Sequence, residues 1–185
     1  KNKQQEFEII IGSILTQSTN WKNTEKAIKN LRSNKLLSPK KIKSIDVKKL
    51  ALMIKSSGYH NQKAKKLKEF IKFYSKNNEL TRDKLLGIYG IGKETADSIL
   101  LYACKKPYFV IDAYTKRIMN RLGFKEETYD EFQSLFMKSL DNNHRLFNEF
   151  HALIVIHGKE TCKKNPLCNR CCLNKICEYG KSNLS

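Results

Sequence analysis

The sequence lacks the features of fibrous, membrane-spanning and secreted proteins. It has only three Pro and eight Gly among 185 residues, too few for a collagen-like chain or a Pro- and Gly-rich disordered one. No run of about 18 apolar residues occurs, so no membrane span is expected. No secretory signal opens the chain, and we therefore expect a cytoplasmic protein.

Patterning typical of β-strands is also nearly absent. Apolar residues instead recur three or four positions apart, as in the predicted helix from Gln62 to Tyr74, where Leu67, Phe70 and Ile71 share one face. Hydrophobic residues make up 40% of the chain, which is enough for a core. The sequence therefore predicts an all-α protein with an irregular, Cys-rich tail over residues 161–185.

Acidic residues are scarce relative to basic ones. The chain has 36 Lys+Arg against 18 Asp+Glu, a formal net charge of +18, and such an excess favours a polyanion such as nucleic acid. Most of the basic residues are Lys, which suits phosphate contacts, whereas Arg reads bases better. One alternative is a Lys-rich composition without functional meaning. Another is a basic membrane-surface protein, but neither end of the chain has the amphipathic basic helix that this class needs.

Five of the six Cys residues cluster near the C-terminus: Cys162, Cys168, Cys171, Cys172 and Cys177. Counting Cys171 rather than Cys172 gives the spacing C-x5-C-x2-C-x5-C. Four thiolates so close together fit a tetrahedral Zn site or an iron–sulfur cluster with four cysteine ligands. The spacing decides neither between the two metals nor between Cys171 and Cys172. A disulfide pair is the weaker alternative, because nothing in the sequence indicates an oxidising compartment.

A glycine turn lies between two predicted helices, residues 84–89 and 93–103. Gly90 and Gly92 let the main chain approach a ligand closely, and the second helix offers free N–H groups at its start. Helix N-termini bind phosphate through these groups and through the helix dipole. Such a hairpin is suited to hold a DNA backbone without reading its sequence. The alternative is an ordinary connection between two helices.

Asp112 follows the apolar Val110 and Ile111 and precedes a predicted helix from Ala113 to Leu122. This position places a carboxylate either at the rim of a pocket or at the N-cap of the helix, where Asp is common. The same side chain can serve in both roles.

Together these motifs resemble the helix-hairpin-helix (HhH-GPD) DNA glycosylase superfamily, and within it the endonuclease III type. The resemblance rests on Gly90-Ile-Gly-Lys-Glu-Thr-Ala96, on Val110-Ile-Asp112 and on the four-cysteine loop. Three further segments match: Leu15-Thr-Gln-Ser-Thr19, Gly58-Tyr-His-Asn-Gln-Lys-Ala64 and His157-Gly-Lys-Glu-Thr-Cys162. The resemblance extends over residues 7–179, nearly the whole chain.

The resemblance implies two helical lobes with the active-site cleft between them. Residues 1–106 would form a six-helix barrel lobe with the hairpin at about 84–103, and residues 107–185 a second lobe with the four-cysteine loop at 162–177. A [4Fe–4S] cluster, rather than Zn, would be held by Cys162, Cys168, Cys171 and Cys177. The family spacing selects Cys171 over Cys172, although the first interval is one residue shorter than is usual. The implied partner is damaged double-stranded DNA in the nucleoid, bound by a monomer that flips a nucleotide into the cleft.

Glu94 departs from the bifunctional members of the family, which have a Lys at this position. That amine attacks C1′, forms a Schiff base and then cleaves the strand. Lys93 is one residue earlier, about 100° around the helix, and we expect it to face phosphate. Because a carboxylate cannot form an imine, the sequence predicts a monofunctional DNA glycosylase that leaves an abasic site, with Asp112 as its catalytic residue.

The hairpin and the segment from Leu15 to Trp21 are most similar to the 3-methyladenine DNA glycosylases. By that similarity Trp21 and Glu94 belong to the base pocket, where an electron-rich ring stacks on a cationic alkylated purine. The alternative for Trp21 is packing in the core. Two other functions stay open: an endonuclease III-like glycosylase and AP lyase for oxidised pyrimidines or other lesions, and a non-enzymatic DNA-binding module.

The resemblance also assigns contacts with DNA. Gln17 and Tyr59 sit at positions that fill the gap left by the flipped nucleotide, and the alternative for them and their neighbours is an ordinary surface loop. The full set of expected DNA-contacting residues is Gln17, Tyr59, His60, Asn61, Gly90, Gly92, Lys93 and Thr95.

Overall fold

The computed structural model describes residues 3–76 and 79–184, and all regular structure in these ranges is helical. The α-helices are α1 (Lys3–Leu15), α2 (Trp21–Ser33), α3 (Pro39–Ser44), α4 (Val47–Met53), α5 (His60–Tyr74), α6 (Arg82–Leu86), α7 (Lys93–Ser98), α8 (Ala113–Leu122), α9 (Tyr129–Ser139), α10 (His144–Glu160) and α11 (Glu178–Leu184). Short 3₁₀ helices span Lys55–Ser57 and Cys168–Arg170, and a π-helix spans Ile99–Ala103. The all-α prediction is confirmed for these residues, and none of their helices is long and apolar enough to cross a membrane.

The chain divides into two compact units, Lys1–Lys106 and Pro107–Ser185. Helices α1 to α7 lie in the first unit, and α8 to α11 lie in the second.

The core of the first unit is built around α1, whose apolar residues Phe7, Ile11 and Ile14 are buried. Helix α5 packs against α1, and its Leu67 and Phe70 are fully buried. This is the face that the apolar spacing of residues 62–74 predicts. The loop between α1 and α2 is fixed by Asn20, whose side chain accepts a hydrogen bond from the Asn23 N–H and so caps α2.

Helices α6 and α7 form the predicted hairpin, although α6 ends at Leu86 and α7 continues directly into the π-helix. Arg82 of α6 donates two hydrogen bonds to the carboxylate of Asp97 on α7, with Nε–Oδ1 at 2.8 Å and Nη2–Oδ2 at 3.1 Å. Asp97 is fully buried. A buried, two-point ion pair of this kind fixes the spacing and the rotation of the two helices.

Aromatic side chains form the core of the second unit. The ring of Phe109 stacks on Phe136 with a centroid distance of 4.0 Å and meets Phe147 edge-on at 5.4 Å. Helices α8 and α10 cross at Gly158, where a Cβ atom would lie 2.6 Å from Cδ1 of Tyr114. Only glycine allows this approach, which fixes α8 against α10.

The Cys-rich tail is not irregular throughout, and the prediction is wrong at its end. Helix α11 begins directly after Cys177 and contacts α8. The guanidinium of Arg121 lies 4.7 Å from the ring centroid of Tyr179, a cation–π contact that holds the start of α11. Tertiary contact, rather than apolar periodicity, therefore determines this helix.

Replacing Asp97 with Ala should lower the free energy of unfolding by about 3–5 kcal/mol, because the largely buried guanidinium of Arg82 loses this ion pair. Urea denaturation followed by circular dichroism measures the change. Asp83→Ala is the control: it removes an exposed carboxylate from α6 and should cost less than about 1 kcal/mol. Equal effects of the two variants would contradict the role given to the ion pair.

Candidate functional site

The segment before Asp112 has no regular secondary structure and is held by side chains of α9. Gln133 donates from Nε2 to the carbonyl of Phe109 at 2.7 Å, and the Ile111 N–H donates to the hydroxyl of Tyr129 at 3.4 Å. Phe109 and Ile111 are themselves buried. The position of Asp112 is therefore fixed by a segment with little freedom to move.

Asp112 caps α8, and its two carboxylate oxygens have different surroundings. Oδ1 accepts hydrogen bonds from the Thr115 N–H at 2.8 Å and from the Thr115 hydroxyl at 2.9 Å. Oδ2 lies 3.7 Å from Nε2 of His151. The N-cap role is thus confirmed, and it leaves a second carboxylate oxygen that the cap does not use.

His151 of α10 is the ionisable group beside Asp112, and the sequence motifs do not reveal it. Its side chain is 10% exposed and its ring lies 6.4 Å from that of Phe109. Burial lowers the pKa of His151, and the charge of Asp112 opposes this shift. A lowered pKa keeps the imidazole of His151 neutral near pH 7, so this ring adds no positive charge beside the carboxylate.

The glycine turn of the hairpin brings the main chain to the surface of the first unit. Gly90 has φ +78°, which strains any residue with a side chain, and a Cβ atom there would lie 2.5 Å from Cγ of Lys66 and would displace that lysine. Gly92 caps α7 with extended backbone. Lys93 and Glu94 follow as exposed residues of the first turn.

Gln17 and Thr95 are joined to the glycine turn rather than directed to solvent. Nε2 of Gln17 donates to the carbonyl of Gly90 and to the hydroxyl of Thr95, both at 2.9 Å. Oε1 of Gln17 accepts from Nζ of Lys66. Three predicted DNA-contacting residues therefore form one hydrogen-bonded group, and Gln17 would have to break these bonds to enter a gap in DNA.

Trp21 and Tyr59 are large aromatic residues at the surface of the first unit. Trp21 is 57% exposed, so the alternative of core packing is wrong, and a Cβ atom at Gly12 would lie 3.9 Å from its ring. Tyr59 is 67% exposed and has a left-handed backbone, with φ +44°, directly after Gly58. His60 is half-buried and Asn61 is exposed at the start of α5. Their contacts with DNA stay a prediction.

Four of the tail cysteines line one cavity in the second unit: Cys162, Cys168, Cys171 and Cys177. Cys172 is exposed and does not line it. Arg121 lies at the same cavity and donates from Nη1 to Sγ of Cys162 at 3.2 Å, while the Gly180 N–H donates to Sγ of Cys177 at 3.3 Å. Burial is the main cause of a raised pKa at Cys171.

Comparison with known proteins identifies the family. A family model described as HhH-GPD superfamily base excision DNA repair protein matches residues 11–142, more than half of the chain, including the glycine turn and Asp112. The chain belongs to this superfamily. Its general activity is that of a DNA glycosylase in base excision repair.

The proteins that this HhH-GPD protein resembles include both a 3-methyladenine DNA glycosylase and an endonuclease III, the latter 32% identical over 94% of this chain and 83% of the Thermotoga maritima relative. It is 45% identical over 186 residues to a Methanocaldococcus jannaschii protein named as a putative DNA repair glycosylase, covering 92% of this chain and 84% of the relative. Its structure is similar to that of H. pylori 3-methyladenine DNA glycosylase bound to 1,N6-ethenoadenine, with a TM-score of 0.78, 35% identity and coverage of 83% and 85% of the two chains. An endonuclease III–DNA complex is similar with a TM-score of 0.87 over 97% of this chain and 86% of that one, but at 24% identity it shows the fold alone.

His151 should make the stability of this HhH-GPD protein sensitive to mild acid. Because its pKa is lowered on folding, the unfolded chain takes up the proton first, and stability is lost as the pH falls below about 6.5. His151→Gln should reduce this loss between about pH 7 and pH 5, measured as the midpoint of thermal unfolding. His144→Gln, at the start of the same helix, is the control. If both variants follow the native pH dependence, His151 does not contribute to it.

Proposed function

We propose that this HhH-GPD protein is a monofunctional DNA glycosylase that releases an alkylated purine, such as 3-methyladenine, and leaves an abasic site. The observation that carries the proposal is Glu94, an exposed carboxylate on the first turn of α7 where an imine-forming enzyme needs an amine. A carboxylate cannot form the Schiff base that strand cleavage requires. Water is then the nucleophile.

Two further observations support the alkylated purine. The similarity to the H. pylori 3-methyladenine DNA glycosylase holds at 35% identity over 83% of this chain. Trp21 offers an exposed indole, and an electron-rich ring favours a base that carries positive charge. A cationic purine is also a good leaving group, so it need not be protonated by the enzyme.

Asp112 would act on the sugar. As the bond between C1′ and the base nitrogen breaks, its electron pair leaves with the purine and positive charge develops at C1′. The carboxylate stabilises this charge and accepts a proton from the water that adds to C1′, and the proton then passes to solvent. The two hydrogen bonds from Thr115 keep the carboxylate oriented during this step.

The glycine turn and the aromatic residues would hold the DNA. Main-chain N–H groups at the start of α7 and the ammonium of Lys93 are suited to phosphate. Tyr59 is the better candidate to fill the gap left by the flipped nucleotide, because Gln17 is hydrogen-bonded to the hairpin. Damaged double-stranded DNA is accordingly the proposed partner.

A [4Fe–4S] cluster is the proposed cofactor, and its ligands would be Cys162, Cys168, Cys171 and Cys177. These residues line one cavity, whereas Cys172 does not. Among the described residues no three His, Cys, Asp or Glu side chains converge closely enough for a single metal ion. Thiolates around a four-iron cluster stand further apart than around Zn, because each binds a different iron. Arg121 donates a hydrogen bond to Sγ of Cys162, and the Gly180 N–H donates one to Sγ of Cys177. Hydrogen bonds of this kind stabilise thiolate ligands. The cluster would stabilise the tail next to α8.

The test of the proposed function is base release from duplexes that each carry one lesion. We expect release of 3-methyladenine, no release from an undamaged duplex, and no covalent adduct when borohydride is added during turnover. Release of an oxidised pyrimidine with a borohydride-trapped adduct would replace the proposal with the endonuclease III-like alternative.

Asp112→Asn should lower the rate of base release roughly 100-fold or more, because the amide neither stabilises the cation nor accepts a proton. The amide still caps α8, so folding and DNA binding should persist. Single-turnover release from a 3-methyladenine duplex measures the effect. The control is Glu94→Gln, which should keep most of the activity since no covalent step depends on it. If Asp112→Asn released the base at the native rate, Asp112 would serve only as the N-cap of α8.

Anaerobically purified protein should be brown, with broad absorbance at the blue end of the visible range and about four iron atoms per chain. Cys171→Ser should lose the colour and most of the iron, while Cys172→Ser should keep both. A colourless protein with stoichiometric Zn, or loss of colour in Cys172→Ser alone, would overturn the ligand assignment.

A further inference from the structure

Lys63 is a buried lysine whose hydrogen bonds join two separate turns. The residue is 2% exposed, and Nζ donates to the carbonyls of Leu15 at 2.8 Å and of Ser57 at 2.5 Å. Burial, with the charge of Lys66 as a smaller cause, lowers the pKa of Lys63 to about 8. Burying an ammonium group costs free energy unless the group is hydrogen-bonded. The two hydrogen bonds are therefore needed to stabilise Lys63 in this position.

Both carbonyls belong to helix ends. Leu15 is the last residue of α1, and Ser57 is the last residue of the 3₁₀ helix Lys55–Ser57. The final carbonyls of a helix lack intrahelical partners and lie at the negative end of its dipole. The chain beyond Leu15 leads to Trp21, and the chain beyond Ser57 leads to Tyr59. Lys63 therefore holds the starting points of two segments that carry the exposed aromatic residues.

Lys66, one turn further along α5, extends this contact to the hairpin. Its Nζ donates to Oε1 of Gln17, and its methylene groups lie across Gly90. Gln17 in turn donates to the carbonyl of Gly90 and to Thr95. Two lysines of one helix thus connect the loop after α1, the loop before α5 and the glycine turn.

Each of these three segments contains backbone in the left-handed region. The positive φ values are +51° at Ser18, +68° at Gly58, +44° at Tyr59 and +78° at Gly90. Left-handed conformations at non-glycine residues persist only where surrounding contacts hold them. The bonds from Lys63 and Lys66 are contacts of this kind.

We propose that Lys63 and Lys66, here called the α5 clamp, hold the three segments in the arrangement that binds a nucleotide outside the DNA stack. Lys63 is a positioning residue: it is too buried to contact phosphate and acts through Trp21 and Tyr59. This inference rests on the proposed function, since that function gives these residues their contacts with DNA.

The test compares two duplexes, one undamaged and one with a single tetrahydrofuran abasic analogue, at one salt concentration. Lys63→Met keeps the length of the side chain and removes the hydrogen bonds. We expect it to bind the abasic duplex roughly tenfold or more weakly than the native protein and to bind the undamaged duplex as the native protein does. Lys65→Met, which removes an exposed lysine from the same helix, should change both affinities equally or not at all.

A double-mutant cycle with Tyr59→Ala tests whether Lys63 acts through the aromatic residues. In the Tyr59→Ala background, Lys63→Met should cost at most about threefold in affinity for the abasic duplex. Three results would overturn the proposed role of the α5 clamp. Lys63→Met could weaken binding of the abasic duplex as strongly in the Tyr59→Ala background as in the native one, weaken binding of both duplexes equally, or weaken neither. If Lys63→Met does not fold, Lys66→Met carries the same comparison, because its side chain is half-exposed. A native protein that does not prefer the abasic duplex would instead overturn the proposed function, and the clamp with it.

Discussion

A chain built from short helices has many helix ends, and each end leaves main-chain N–H or C=O groups without an intrahelical partner. In this protein charged side chains supply many of the missing partners. Asp112 accepts from the first turn of α8, and Arg117 donates to the carbonyls of Gly158 and Cys162 at and beyond the end of α10, at 2.8 and 3.0 Å. Lys63 does the same for the ends of α1 and the 3₁₀ helix. One of these residues, the N-cap Asp112, is also the residue proposed for the chemistry.

Most of the helices can be predicted from the sequence. Helix α8 has the predicted bounds, Ala113 and Leu122, because a capping Asp precedes it and Gly123 follows it with φ +107°. Helix α11 cannot be read in this way, since its position depends on contacts such as Arg121 with Tyr179, which no periodicity displays. The same holds for the π-helix after α7, whose residues differ little from those of an ordinary apolar helix.

The candidate functional site can be predicted only in part from the sequence. Asp112, the glycine turn and the cysteines are visible because their spacing along the chain is itself the signal. His151, Asp97 and Lys63 are not visible in this way: each is a polar residue in a helix, and only the fold brings it to a carboxylate, a guanidinium or two carbonyls. Gln17 lies on the expected loop, but its bonds to Gly90 and Thr95 depend on how α1 meets the hairpin. Contacts between residues so far apart in the sequence depend on the tertiary structure, and the spacing of motifs does not predict them.

Trp21 is the single Trp of the chain, and more than half of its surface is exposed to solvent. Its indole lies beside Gly12 of α1, which has no side chain. Its fluorescence consequently reports one place on the molecule. If a base stacks on the indole as proposed, it would remove water from the ring and quench its emission, and the indole would then serve as an optical probe of nucleotide flipping. No dye has to be attached to the protein, whose five clustered Cys would complicate labelling through thiols.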